Sequence, residues 1–348
     1  MTKKTANNVS GIMLYAKQTG MTSFAALHTV KKALSTAKVG HTGTLDSFAD
    51  GLLVIAAGKL TRLVPYITGF DKTYRAAVVF GAETDTLDPT GQIIARAEPP
   101  ALERLVQVLP QFMGTIEQTP PAYSALHVGG RRASDIVRSG GTVELSPRTV
   151  TIHSLQLLSY NGTCGVFEIC CSKGTYIRSL ARDIALACGS RGSVQALRRT
   201  AVGPFLLEQA AGYEFLPQFA DRYGDNGSDD CVSQEPEHTV SVVSPDCIRA
   251  AVQPFDADMA RRCGLVPITL CPAGAASFMS GRPLSGCEVL CEHETISFSR
   301  LIQEKAYRAG QRFAVYYASG LFGGIVSYAD EALRYDFVIP EQAAAAGW

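Results

Sequence analysis

The run Leu52-Leu53-Val54-Ile55-Ala56-Ala57 is apolar at every position and reads as a buried strand. It follows directly on a stretch that is its chemical opposite: Lys38-Val39-Gly40-His41-Thr42-Gly43-Thr44-Leu45-Asp46, continuing to Ala49-Asp50-Gly51. Gly40 and Gly43 allow positive φ or close approach of the backbone to a ligand. Thr42 and Thr44 offer hydroxyls, His41 a ring that stacks or hydrogen-bonds, and Asp46 a charge. A polar loop held rigid by a buried strand is where chemistry is expected.

At 348 residues, with 46% hydrophobic and 18% charged residues, the chain has room for two domains and a large core. No run approaches the roughly 18–20 apolar residues of a membrane span. The short apolar run at 12–16 suits a first strand better than a signal peptide. A cytoplasmic protein is expected. Ten cysteines include no Cys-x-x-Cys pair, so buried free thiols are expected rather than a metal centre. The net charge of zero is a cancellation. Residues 1–215 hold 22 Lys and Arg against 15 Asp and Glu, and residues 216–348 hold 10 against 17. The N-terminal part is thereby suited to a polyanion.

A strand is expected at 11–17, then a helix opening near Thr22 and Ser23 with an apolar stripe of Phe24, Leu27, Val30 and Leu34. A short helix at 59–67 and a strand at 72–80 come next. Asp88-Pro89-Thr90-Gly91 is a turn, and a helix near 101–109 follows. Residues 127–148 place His127, Arg131, Arg132, Arg138 and Arg148 among two glycine pairs. They read as a mobile lid that orders against phosphates, or as a solvated surface loop. Strands follow at 149–158 and 165–172. Ile177, Leu180, Ala181, Ile184, Ala185 and Cys188 then fit a helix capped by Gly189, and a last strand runs near 197–202. The fold class is α+β: a mixed, mostly antiparallel sheet flanked by helices. Residues 1–217 form the first domain, 218–247 an acidic linker or insertion, and 248–348 a β-rich domain with a hairpin at 311–326 turning at 318–320.

Asp46 on a loop, Tyr74 on a strand and Arg178 opening a helix can make one site. An arginine keeps a partly buried aspartate ionised, an oriented carboxylate is a nucleophile, and a tyrosine stacks on a base or moves a proton. Singly, each has a plainer reading: Asp46 as a turn or cap, Tyr74 as a packed aromatic, Arg178 as a surface charge paired with Asp183 or with a phosphate.

Gly40-His41-Thr42-Gly43-Thr44-Leu45-Asp46 closely resembles the catalytic loop of the TruB family, the bacterial tRNA pseudouridine-55 synthases. The resemblance continues in order through 71–75, 84–88, Gln118-Thr119-Pro120-Pro121-Ala122-Tyr123-Ser124-Ala125-Leu126, 171–178 and Leu197-Arg198-Arg199, covering about 10–205. It implies a pseudouridine synthase fold with Asp46 as the catalytic aspartate, Arg178 as its partner and Tyr74 stacked on the target base. It further implies that His41 enters the RNA loop, that Tyr176 and Leu197 line the pocket, and that 127–148 is the family's thumb loop, with Arg131 and Arg132 on RNA. The implied partner is the T stem-loop of tRNA, with no DNA, no membrane, no metal and no cofactor, acting as a monomer. The C-terminal domain resembles a small PUA-like module. Three positions depart from the family pattern. Gln18 replaces a proline after Lys17, which leaves Lys17 without an assigned role. Ser47 replaces the proline after Asp46. Asp50 replaces a threonine, either raising the Asp46 pKa or capping the next segment, with the cap expected. A guide-RNA-dependent enzyme and a non-catalytic tRNA-folding chaperone are the alternative readings.

Overall fold

The apolar strand sits deep in a nine-stranded sheet, and its alternation explains why every position is apolar. In the computed structural model, described for residues 9–219, 243–284, 287–291, 294–304, 307–329 and 332–345, β1 (Gly11–Lys17) pairs antiparallel with β3 (Asp50–Ala57). β2 (Val39–His41) pairs with β3 as well. Met13, Tyr15, Leu53 and Ile55 enter one core, whereas Ile12, Leu14, Leu52, Val54 and Ala56 enter a second on the opposite face. Successive strand residues point to opposite sides. Each fully buried aliphatic is favoured by roughly 1.5–3 kcal/mol over exposure, so the register is firmly held.

The remaining strands are β4 (Lys72–Phe80), β5 (Ala82–Thr84), β6 (Ile93–Arg96), β7 (Gly114–Gln118), β8 (His127–Val128), β9 (Arg131–Arg132), β10 (Arg148–Tyr160), β11 (Cys164–Cys171), β12 (Gly192–Val202) and β13 (Phe205–Leu206). The large sheet runs β1-β3-β12-β4-β11-β10-β7, with β13 on β12 and β2 on β3. Among the described strands of this sheet, β3 and β12 are the pair that runs parallel. The mixed, mostly antiparallel α+β sheet is as the sequence implies. β12 starts well before Leu197, because its β4 partner supplies the pairing that Gly192 and Ser193 do not favour by themselves.

Helix α1 (Ser23–Leu34) is capped by Thr22, whose side chain accepts from the Ala25 amide at 3.1 Å. Its buried stripe is Ala26, Leu27, Val30, Ala33 and Leu34. The expectation for Phe24 is wrong: its side chain is 74% exposed. Ser23 takes the buried place in that turn, its hydroxyl donating to the Leu45 carbonyl at 3.0 Å and accepting from the Leu45 amide at 2.9 Å. After a 3-10 turn come α2 (Val64–Thr68), α3 (Leu102–Val108), α4 (Ala133–Arg138) and α5 (Ile177–Ala187). The expected apolar positions of α5 are buried from Ile177 through Ala185, and Gly189 follows at φ 78°.

Residues 127–148 begin as a tight hairpin of β8 and β9 through Gly129 and Gly130, at φ 57° and 82°. Two positive φ values in a two-residue turn demand glycine here. α4 follows directly.

A second sheet contains β14 (Val266–Leu270), β15 (Glu288–Cys291), β16 (Glu294–Ser297), β17 (Arg312–Tyr316), β18 (Phe322–Ala329) and β19 (Ala332–Val338), in the order β16-β15-β14-β17-β18-β19. The expected hairpin is β17–β18, with Gly320 at φ 80° in its turn. Phe255, Met259, Ala314, Tyr316, Phe322 and Ile325 share the core of the outer faces of β1 and β3. The helix Pro245–Ala250 lies on α1, where Arg249 Nε donates to the Ala33 carbonyl at 3.0 Å. Most of the expected acidic linker, residues 220–242, lies outside the described residues.

Candidate active site

Asp46 ends a loop that is fastened at each side. Thr42 N–H donates to the Val54 carbonyl at 3.0 Å, Gly20 N–H to Ser47 at 2.8 Å, and Ser23 holds Leu45. Two buried cations complete the fastening. Arg199, 2% exposed, donates from Nε to the Leu52 carbonyl at 2.8 Å and from a terminal nitrogen to Gly43 at 3.0 Å. Lys17, fully buried, donates to Met21 at 2.6 Å and to Ala49 at 2.5 Å. Lys17 thus has a place that its broken motif does not disclose: its ammonium binds the turns on both sides of the Asp46 loop.

Arg178 sits at the start of α5 and is 4% exposed. Its Nε lies 2.9 Å from Asp46 Oδ2, and one terminal nitrogen donates to Asp46 Oδ1 at 3.1 Å. The same nitrogen reaches the Tyr123 carbonyl at 3.0 Å; the other donates to Thr86 at 2.8 Å and to Asp88 Oδ2 at 3.2 Å. The guanidinium is fixed from behind and turns one edge to Asp46, with one hydrogen bond from the terminal nitrogen and an ion-pair contact at Nε. Pairing with Asp183 does not occur; Asp183 takes Arg182 at 2.8 Å. The Asp46 side chain keeps 38% of its surface open, against 8% for Asp88. Burial raises the Asp46 pKa and nearby Asp88 adds to this, whereas Arg178 and Lys17 pull it down.

The Arg178 position depends on neighbours that sequence reading did not single out. Gln118, 1% exposed, accepts from the Tyr176 amide at 2.8 Å and donates to its carbonyl at 3.1 Å, pinning the first turn of α5. Asp88 is held in turn by Thr86 and Thr90 hydroxyls at 2.8 and 2.6 Å. Leu87 between them has φ 60°, a strained value for leucine, and its carbonyl accepts from Val194 of β12 at 3.1 Å.

Tyr74 faces the same side of the sheet. It is the register partner of Arg199 across β4 and β12, two residues from the Leu197–Ala76 pair. Burial raises the Tyr74 pKa, opposed by Arg199, with a smaller rise from Asp46. His41 Nδ1 accepts from the Gly43 amide at 3.2 Å, and burial with the Arg199 charge lowers its pKa. Tyr176 caps α5, its pKa raised by burial, with Arg178 and Asp46 both acting on it. Asp46, Arg178, Tyr74, Tyr176 and His41 are therefore one electrostatic neighbourhood, with Leu197 buried beside it. Arg131 and Arg132 are exposed on the hairpin, with no contact to this group among the bonds described; Arg131 reaches Ser139 at 3.4 Å.

Asp50 does not cap the following segment. Its carboxylate takes a two-pronged bond from Arg198, 2.7 Å at each oxygen, with both residues buried. The parallel β3–β12 register sets Arg198 opposite Asp50 and Arg199 opposite Gly51. Gly51 is at φ 110°, and a Cβ there would lie 2.6 Å from the Arg199 nitrogen, so only glycine fits.

Among the described residues no helix is long and apolar enough to cross a membrane. They also contain no cluster of three or more His, Cys, Asp or Glu placed to hold a metal.

Two family models match end to end: "TruB family pseudouridylate synthase (N terminal domain)" over 31–177 and "tRNA pseudouridylate synthase B C-terminal domain" over 178–259. The chain is similar to tRNA pseudouridine synthase B of Treponema denticola, 47% identical over 61% of this chain and 65% of that one. It is 37% identical to the Treponema pallidum protein of the same name over 94% of this chain and 96% of that one. The Bordetella avium protein is 44% identical, over 64% and 92%. In fold it is similar to a chain of a Cbf5-Nop10-Gar1 complex, with a TM-score of 0.62, 20% identity, and 99% and 89% of the two chains covered. Because the likeness to the Treponema pallidum protein runs through nearly the full length of both, this chain belongs to the TruB family of pseudouridylate synthases.

Proposed function

We propose that this protein isomerises uridine 55 in the T loop of tRNA to pseudouridine, with Asp46 as the catalytic carboxylate. The observation that carries the reading is the half-open Asp46 carboxylate, held at both oxygens by an arginine whose remaining contacts are all internal. Arg178 opposes the rise in the Asp46 pKa that burial causes and leaves the carboxylate uncovered. The relatives' name supplies the tRNA substrate.

A base inside an RNA loop must leave its stack before chemistry can reach it. His41 fills the space left in the loop, and the flipped uracil stacks on Tyr74 with Tyr176 and Leu197 lining its pocket. Asp46 engages the nucleotide as the bond from N1 to the sugar breaks. The ring turns, and C5 bonds to the same sugar carbon. C5 then loses its proton and N1 gains one, so atoms balance with no group donor and no redox step. Tyr74, a phenol that burial makes still harder to ionise, relays a proton. The basic hairpin carrying Arg131 and Arg132 closes on the phosphates.

Tritium released from 5-labelled uridine in a bare tRNA transcript reports the C5 step. The wild-type protein releases it, and Asp46→Asn lowers release by at least about 10³-fold while keeping most RNA binding. Turnover retained in Asp46→Asn would remove Asp46 from the mechanism. No release from bare transcript would favour a guide-dependent enzyme, and binding without turnover in the wild type a folding chaperone.

A further inference from the structure

The site uses only the beginning of α1 and leaves the helix's outer face unexplained. Ser23 is bonded to both backbone groups of Leu45, so α1 starts directly beside the Asp46 loop. The next residue, Phe24, at 74% has the largest exposure among the big apolar side chains described. Single exposed apolar side chains are common and by themselves mean little. What sets this one apart is its company. His28 and Lys32, four and eight residues on, are exposed too, giving one stripe along the helix with a step of about 6 Å. Lys31 flanks it, half-buried.

The charge around the stripe has one sign. α1 carries no acidic residue, and the chain has none at all before Asp46. Lys38 ends the connection from α1 to β2, and its charge is felt at Lys59, whose pKa is lowered by burial and by Lys38. Asp246, on the helix packed against α1, is already taken by Arg249 at 2.5 Å. A protein ligand with an apolar face would find one aromatic ring and then only polar and cationic groups. A nucleic acid finds a stacking platform followed by cations at intervals along a backbone.

We infer that the outer face of α1 binds the substrate RNA, with Phe24 stacking on an unpaired nucleotide near the target and His28 and Lys32 meeting phosphates of the strand leading away. This rests on the RNA-isomerase reading given above. The stripe begins one residue after Ser23, whose hydroxyl holds Leu45 of the catalytic loop.

Steady-state tritium release and filter binding on a full tRNA transcript test it. Phe24→Ala raises KM about 5- to 100-fold, the loss expected for one stacked base, with kcat unchanged. Phe24→Trp restores the wild-type KM, which a merely structural role would not predict for a larger ring. Lys32→Gln flattens the dependence of log affinity on log salt by about 0.7–0.9. Wild-type KM and salt dependence in both Phe24→Ala and Lys32→Gln would overturn the inference, as would a fall in kcat alone. If the wild type turns over and these variants match it, only the α1 surface fails. If the wild type releases no tritium, the reading of function fails first.

Discussion

Arg178 concentrates the residue-scale physics, since one buried guanidinium neutralises two carboxylates of different exposure. Arg178→Met leaves Asp88 buried with no cation and Asp46 opposed only by Lys17. Loss of one partner from such a pair costs about 3–5 kcal/mol, read as a lower denaturant midpoint at pH 7. The deficit shrinks as pH falls, because protonation removes the uncompensated charge. Arg178 lowers the Asp46 pKa, so its removal raises that pKa further. The acid limb of the kcat/KM profile then moves to higher pH; an unmoved limb would separate Arg178 from Asp46 ionisation. The acid, the phenol and the guanidinium stand out in the sequence through their resemblance to the motifs of one family; their residue types alone leave plainer readings open for each. Gln118 and Arg199 stand in the sequence only as members of motif blocks, and Lys17 as a residue without a role. Their role is to bind backbone carbonyls and amides, and no side-chain pattern along the chain announces a carbonyl 30 or 150 residues away.

At the scale of elements, the hairpin of β8 and β9 is exposed at every strand position and leads into the half-buried α4. Among its residues described, Ala133 is buried, whereas Arg131, Arg132 and Arg138 face outward. Replacing those three arginines with Gln should weaken RNA binding and flatten its salt dependence by about two to three in log–log slope, with the folded state untouched. An unchanged slope would show that the hairpin does not meet phosphates. Period and capping predicted α1 and α5 well, since both are amphipathic and one has Thr22 before it and the other Gly189 after it. Phe24 was misplaced because its spacing also fits the apolar stripe. Only the hydroxyl of Ser23, drawn inward by Leu45, decides which side of that turn is buried. The Asp50–Arg198 pair was hidden likewise, because a parallel register between β3 and β12 brings together residues 148 positions apart.

Across the whole molecule, buried lysines shape stability. Burial pushes Lys17 and Lys72 down from 10.5 to about 8. Above about pH 8 the folded chain has shed protons that the unfolded chain still holds, so stability rises with pH. The gain is of order 1–2 kcal/mol per lysine by about pH 9.5. From about pH 9 the buried thiols of Cys171, Cys188 and Cys263 oppose part of this gain, and above about pH 10 the buried tyrosines reverse the trend, since raised pKa values keep these groups protonated only in the folded chain. Urea midpoints measured at pH 8 and pH 9.5 should show the rise, and Lys17→Met should reduce it. Equal slopes in the two proteins would mean that Lys17 does not titrate in this window.

The sequence by itself determined the α+β class, the buried strand at 52–57, the order of elements and the residue types of the site. Those follow from period, turn chemistry and local composition, which act over a few neighbours. The resemblance implied that Arg178 meets Asp46, and the fold brings them together; tertiary structure alone decided that Asp50 belongs to Arg198 and that Lys17 and Arg199 fasten the Asp46 loop. Each of those is a long-range pairing of buried charge. Desolvation forces every such charge to find a partner, and only the sheet register determines which partner lies within reach.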